Sequence, residues 1–264
     1  MTEPTAPEPT APERATPGPA APEPAVILLV PPSLRLFLPA GRRAERVPVR
    51  CDETSTLGHL VSSAGIPPTE VGGLLLADRP VGPGHRPAGG DEVRVLPVTY
   101  PQPAPTSPPR FLLDVHLGTL ARRMRLLGLD TAYRSDADDD QLARQSAQQQ
   151  RILLTRDRRL LHRRAVRWGA HLRQDAPDDQ LAEVLDRFRP PLDPWTRCPA
   201  CNGSLREVGR SEVEPLLQPG TRRSYADFRR CTGCGRVYWR GAHAARLRGI
   251  VDAALTRARP ADPA

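Results

Sequence analysis

Two Cys-x-x-Cys pairs, Cys198 with Cys201 and Cys231 with Cys234, constrain this chain more than any other feature. Each pair can form a tight knuckle that points two thiolates at one spot, and two knuckles complete the tetrahedral four-sulfur shell that zinc takes. The 29 residues between the pairs leave room for a hairpin, and Gly203 and Gly235 stand just past the knuckles, where the backbone has to turn back. The spacing predicts a four-cysteine zinc ribbon over residues 191–240. A closed shell leaves no position for a substrate, so this zinc is expected to be structural. Cys51 stands alone, and four of five cysteines in tight pairs suit metal ligation better than a disulfide framework. Two redox pairs are the competing reading, but the chain lacks a thioredoxin-like context.

The formal charge of +8 favours a polyanionic partner. Every one of the 38 basic residues is arginine, however, and the chain is also rich in Ala and Pro. Such a pattern reads as a compositional bias, which weakens the charge as evidence for nucleic acid. No apolar run reaches the length of a membrane helix, and the N-terminus lacks a basic-then-apolar signal, so a cytoplasmic location and no membrane contact are expected.

Composition divides the chain. Residues 1–24 carry eight prolines among Ala, Glu and Thr and are expected to form a disordered tail. Residues 101–109 hold five prolines in nine positions and read as a stiff linker. Between them, residues 25–100 offer apolar stretches at 25–30, 34–38 and 47–49, a helix-like patch at 56–64 and strand-like runs at 74–77 and 93–98. This order is that of a β-grasp, and the segment resembles the ubiquitin-like, sulfur-carrier-type fold, with Gly89-Gly90-Asp91-Glu92 turning into a final strand. Sulfur carriers end in a free Gly-Gly. Here the chain continues past Val98, so a docking role toward RNA or a protein partner is expected instead of carrier chemistry.

Residues 110–190 alternate between strand and helix periods. Strands are expected at 111–115, 131–134, 151–155 and 166–172. The first is followed by a helix bearing Leu117, Leu120, Ala121, Met124 and Leu127 on one stripe and stopped by Gly128. A second helix starts in the run Asp138-Asp139-Asp140, a short third begins at Leu160, and a fourth, entered through Asp178, carries Leu181, Val184, Leu185 and Phe188. The pattern predicts an α/β fold whose parallel sheet is covered on both faces.

In such sheets, sites form at the carboxyl ends of strands. Asp114 ends the first apolar run and Asp157 follows Leu153-Leu154-Thr155, so both are expected at that edge, with a carboxylate of the Asp138–Asp140 run facing the same point. Clustered carboxylates need a counter-charge, which a hard ion such as Mg²⁺ or Mn²⁺ supplies. The plain alternative is that these are turn and helix-start residues.

The run Phe111-Leu-Leu-Asp114-Val-His-Leu-Gly118-Thr-Leu-Ala-Arg122-Arg-Met-Arg125-Leu-Leu-Gly128-Leu-Asp130, with Arg151-Ile-Leu-Leu-Thr155-Arg156-Asp157, resembles the PIN-like ribonucleases of the Mut-seven C-terminal RNase domain family. The likeness extends through Asp178-Asp-Gln180-Leu181 into the cysteine pairs and covers about half the chain. It implies a PIN-like fold, a metal-dependent RNase site and a zinc ribbon, and some bacterial members also have a ubiquitin-like N-terminal domain. Carried over by position, Asp114 and Asp157 match the first acid and the Thr-Arg-Asp acid. Asp139 is the preferred middle ligand, with Asp138 and Asp140 as alternative registers, and Asp175 or Asp178 is a further candidate.

Arg122, Arg125 and Arg156 are the expected RNA contacts, with Arg123 beside them, though such arginines can equally form a solvated face. Tyr225, Phe228, Tyr238 and Trp239 near Arg222, Arg223, Arg229 and Arg230 could stack bases or serve as the core of the ribbon. His116, close behind the first carboxylate, is a candidate for substrate contact, while His162, His171 and His243 read as ordinary residues. Leu247, Ile250, Val251 and Leu255 predict a terminal helix in 241–264, packed on the ribbon or on a second subunit. Two readings compete with the ribonuclease: a non-catalytic RNA-binding or ribosome-associated adaptor, and a sulfur-transfer partner with a processed Gly-Gly end.

Overall fold

The computed structural model describes residues 25–217, 225, 227–239 and 244–258. The expected N-terminal tail, Arg222, Arg223 and His243 lie outside them. Strands β1 (Ala25–Leu29), β2 (Arg46–Arg50), β3 (Val71–Leu76), β4 (Arg79–Val81) and β5 (Glu92–Pro97) form one sheet in the order β2-β1-β5-β3-β4. β1 and β5 run parallel and the other pairs antiparallel, which is the β-grasp arrangement. Helix α2 (Leu57–Ser63) crosses this module, its first turn capped by the Thr56 hydroxyl, which accepts from the His59 amide. The apolar stretch at 34–38 begins in a short helix and continues as a turn. Pro31-Pro32 opens the short helix α1 (Pro32–Arg35), with Pro32 at its first position, and Leu34, Phe37 and Leu38 are buried at helical spacing.

The second sheet is wholly parallel. It consists of β6 (Phe111–Leu113), β7 (Thr131–Tyr133), β8 (Ile152–Thr155) and β9 (Gly169–His171) in the order β7-β6-β8-β9. Alternate side chains feed two cores. Phe111, Leu113, Ile152, Leu154 and Ala170 pack with α3 (Gly118–Leu126) and α6 (Pro177–Phe188), whereas Leu112 and Leu153 pack with α4 (Asp139–Gln149) and α5 (Arg158–Leu161). The period-two alternation explains why runs that look uniformly apolar build a sheet covered on both sides. Helix α4 starts with a capping box in which Asp138 accepts from the Gln141 amide and Gln141 accepts from the Asp138 amide. Helix α6 is entered through Pro177 rather than through an Asp178 cap, so Asp178 and Asp179 fill its first turn.

Three antiparallel strands follow: β10 (Leu205–Val208), β11 (Phe228–Cys231) and β12 (Val237–Trp239), with helix α7 (Arg210–Val213) after the first. The C-terminal helix (Ala244–Ala258) packs on α6 of the same chain. Val251 and Ala254 are buried in the main core, and Arg257 holds Asp186 at 2.7 and 2.8 Å, while Leu255 stays exposed. Among the described residues, no helix is long and apolar enough to cross a membrane.

Both flanking modules grip the parallel sheet. On one side the turn before β3 supplies Glu70, which is paired with Arg187 of α6 at 3.1 Å, both side chains only 2% exposed. Glu70 Oε1 also accepts the His171 main-chain N–H at 2.8 Å. The Gln102 amide donates to the Arg187 carbonyl at 2.7 Å, so the proline-rich segment runs pinned along α6. Ser62 meets His162 at 2.9 Å, which makes that histidine a joint between modules. On the other side, Asn202 of the first cysteine knuckle accepts the Thr131 main-chain N–H at 3.0 Å and donates to Asp130 at 2.8 Å.

Candidate active site and metal centre

The carboxyl ends of β6 and β8 carry the first two predicted acids. Asp114 is buried and caps the turn that follows β6, with its Oδ1 accepting the Val115 amide at 2.6 Å and its Oδ2 accepting the Thr155 hydroxyl at 2.6 Å. Asp157 is exposed and caps α5, accepting the Arg159 amide at 2.8 Å. Its own N–H donates to the Thr155 hydroxyl at 2.8 Å. Thr155 therefore ties the two acids together from a fully buried position. Its signal in the sequence was its place before Arg156-Asp157. Tyr133, from the end of β7, donates to the Val115 carbonyl at 2.8 Å and lies over Gly118, where a Cβ would come within 2.7 Å of the hydroxyl.

Asp139 is not gathered with this pair. Among the described residues, four cysteines are the one set of three or more potential ligands close enough to share an ion. Asp139 instead lies 3.4 Å from Arg163, which also pairs with Asp140, and Asp138 serves as the helix cap. Asp175 is paired with Arg156, and Asp178 with Arg123 at 2.9 Å. Arg122 and His116 are exposed and free to meet solvent.

Arg125 corrects the expected RNA track. It is 3% exposed and donates to the carbonyls of Thr131 at 2.8 Å, Pro199 at 3.1 Å and Ala200 at 2.9 Å. With its guanidinium buried and spent on those carbonyls, it joins α3 to the first cysteine knuckle and has no face left for a phosphate.

The four Sγ atoms lie within 4.8 Å of one another, with Cys198 to Cys234 at 3.7 Å and Cys201 to Cys231 at 3.4 Å. Tetrahedral zinc with bonds of about 2.3 Å calls for sulfurs about 3.8 Å apart, so the set fits that ion. The Gly233 and Cys234 amides both donate to Cys231 Sγ at 3.4 Å. Gly235 turns with φ +72°, but after the first knuckle the left-handed residue is Asn202, with φ +69°, rather than Gly203. Gly203 is required by space, since a Cβ there would sit 3.0 Å from Cys231 Sγ. Burial pushes the Cys198 thiol up, yet the Tyr238 hydroxyl at 3.0 Å and the amides of Cys201 and Ala200 outweigh it and bring it to about 7. Tyr238 is thereby a partner of a ligand, and Phe228 packs in the ribbon core with Tyr225, while Trp239 is 38% exposed. Arg229 donates to the Trp195 carbonyl at 2.6 Å and pairs with Glu207, and Arg230 reaches the Gly235 carbonyl.

The knuckle side chains Asn202 and Arg197 meet Asp130, which Arg110 and Arg151 also hold, and these last three residues precede β7, β6 and β8. The cysteine centre thus sits at the amino ends of the strands, opposite Asp114 and Asp157. The family model described as Mut7-C RNAse domain matches residues 109–251, and that described as Mut7-C ubiquitin matches residues 24–103. No curated protein and no solved structure matches the chain.

Proposed function

Because the chain belongs to the Mut7-C RNAse domain family, we propose that it is a ribonuclease that hydrolyses RNA phosphodiester bonds at the carboxyl edge of the parallel sheet, where Asp114 and Asp157 hold a divalent ion. The observation that carries this reading is the Thr155 hydroxyl, which donates to Asp114 and accepts from the amide of Asp157. A buried threonine whose hydroxyl orients one carboxylate and anchors the main chain of the residue that bears the second supports a site at this strand end. Mg²⁺ commonly takes one or two carboxylates and completes its shell with water and substrate phosphate, so two acids suffice to seat it. When bound, such an ion lowers the pKa of water and offsets charge on the scissile phosphate.

The protein's own part is positional. Thr155 and the Val115 amide fix the rotamer of Asp114, and the Arg159 amide fixes that of Asp157. In this reading Asp139 joins as a third ligand by leaving Arg163. Arg122 and Arg156 are the proposed phosphate contacts, and zinc on Cys198, Cys201, Cys231 and Cys234 holds the ribbon to the sheet. The ubiquitin-like module then serves as a docking wall rather than a carrier.

One observation favours a non-catalytic RNA-binding protein instead: Asp139 and Asp140 are already neutralised by Arg163. Cleavage of labelled RNA with Mn²⁺ or Mg²⁺ separates the two. Wild type should cleave, Asp114→Asn and Asp157→Asn should be inactive, and Asp139→Asn should need more metal. Salt-sensitive binding without turnover in all four proteins would establish the adaptor.

A further inference from the structure

The seam between the ubiquitin-like module and the parallel sheet contains a cleft of about 560 Å³ lined by Leu36 on one wall and by Arg156, Arg158, His171, Leu172 and Arg173 on the other. Its arginines flank Asp157 in sequence or follow the end of β9, so the cleft opens beside the carboxylate edge. Arg156 is already paired with Asp175. Arg158 lies 5.7 Å over the Phe37 ring and Arg173 donates to the Ser33 carbonyl at 3.3 Å, both across the seam. Among the described residues neither makes a side-chain salt bridge. The anions nearby are spent elsewhere: Glu70 on Arg187 and on the His171 amide, and Glu183 on the Arg173 amide at 3.0 Å. This leaves Arg158 and Arg173 without a direct ion pair, with Glu183 acting on the Arg173 charge from beyond contact distance.

A second group in the same place is also unsatisfied. His171 is 7% exposed, packs edge-on against Phe37 with ring centroids 5.3 Å apart, and its Nδ1 has no hydrogen-bond partner among the described residues. Burial, then Arg158, Arg173 and Arg156, drive its pKa down to about 4, while the Arg156 backbone bond opposes them. The ring is therefore neutral near pH 7. In the neutral tautomer that carries its proton on Nε2, Nδ1 is an acceptor. The cleft thus lacks an anion at Arg158 and Arg173 and a hydroxyl donor at His171. A ribose-phosphate unit supplies both, and its 2′-hydroxyl is the group DNA does not have.

Resting on the ribonuclease reading, we propose that this seam cleft holds one ribose-phosphate unit of the RNA strand whose neighbouring phosphodiester lies at Asp114 and Asp157. Phosphate binds Arg158 and Arg173, the 2′-hydroxyl donates to His171 Nδ1, and Leu36 of the ubiquitin-like module closes the far wall. The module that resembles a carrier becomes one side of a substrate channel.

The test is equilibrium binding of a single-stranded RNA oligomer, and of DNA of the same sequence, to the zinc-loaded full chain in buffer without Mg²⁺ or Mn²⁺, so that no turnover intervenes. Arg158→Gln with Arg173→Gln should weaken RNA binding about tenfold and lower the salt slope by about 0.7, the share of one phosphate. Arg79→Gln with Arg86→Gln, at two exposed positions of the ubiquitin-like module, is the charge-matched control. His171→Phe keeps the packing on Phe37 and should cut the preference for RNA over DNA, and Leu36→Glu should weaken both nucleic acids. A cleft double variant no weaker than the Arg79→Gln, Arg86→Gln control overturns the site, and an unchanged RNA-to-DNA ratio in His171→Phe overturns the hydroxyl contact. If wild type never cleaves RNA with any divalent ion, the ribonuclease reading falls while these binding arms still report on the cleft.

Discussion

At the scale of single residues, the molecule concentrates its unusual arrangements around Thr155 and His171. Removing the Thr155 hydroxyl leaves the buried Asp114 carboxylate short of a donor and releases the Asp157 amide. Thr155→Val should therefore cost ~1–3 kcal/mol in urea unfolding and weaken Mn²⁺ binding, whereas Thr155→Ser should restore both. His171 makes stability depend on pH. Its folded pKa of about 4 lies below the ordinary 6.5, so between those values the unfolded chain takes up a proton that the folded one refuses. Stability from this group is complete above pH 6.5 and lost as pH falls toward 4. The groups facing the ring are Arg156, Arg158 and Arg173, with Glu70 held at its main-chain N–H. Melting temperatures measured from pH 7 to pH 4 should fall less steeply in His171→Phe than in wild type.

At the scale of elements, the cysteine knuckle and helix α3 behave as one piece, because Arg125 donates to carbonyls of both β7 and the knuckle. Arg125→Met keeps the apolar stem but strands three carbonyls. A chelator should withdraw zinc faster from this variant, and zinc removal from wild type should lower the melting temperature of the parallel-sheet domain as well as that of the ribbon. Both are readable by calorimetry with a colorimetric zinc assay. The elements themselves were legible in the sequence where period and punctuation agreed: the α3 stripe before Gly128, the capping run at Asp138, and the paired knuckles. In the sequence the stretch at 34–38 is left without an element because hydrophobicity alone does not separate a strand from a proline-initiated turn. Asp114 and Asp157 could be placed at the sheet edge from strand ends alone. The Arg163 contact of Asp139 and the burial of Arg125 could not, since both depend on partners 24 and 74 residues away.

At the scale of the whole molecule, two modules clasp a small parallel sheet from different sides, one at the carboxyl edge and one at the amino edge. That placement separates the four-cysteine cluster from Asp114 and Asp157 by the length of the strands. It also has a consequence for solubility. β7 and β9 are the outermost strands, and each has a main-chain N–H that no neighbouring strand can satisfy. The Thr131 amide is taken by the Asn202 side chain and the His171 amide by the Glu70 carboxylate, so each flanking module lends one side chain to blunt one border of the sheet. Amide hydrogen exchange should be slow at Thr131 and His171 and should accelerate separately in Asn202→Ala and Glu70→Ala. An excised 110–190 fragment keeps the sheet but loses both guards, and it should pair strand to strand into oligomers that the complete chain resists.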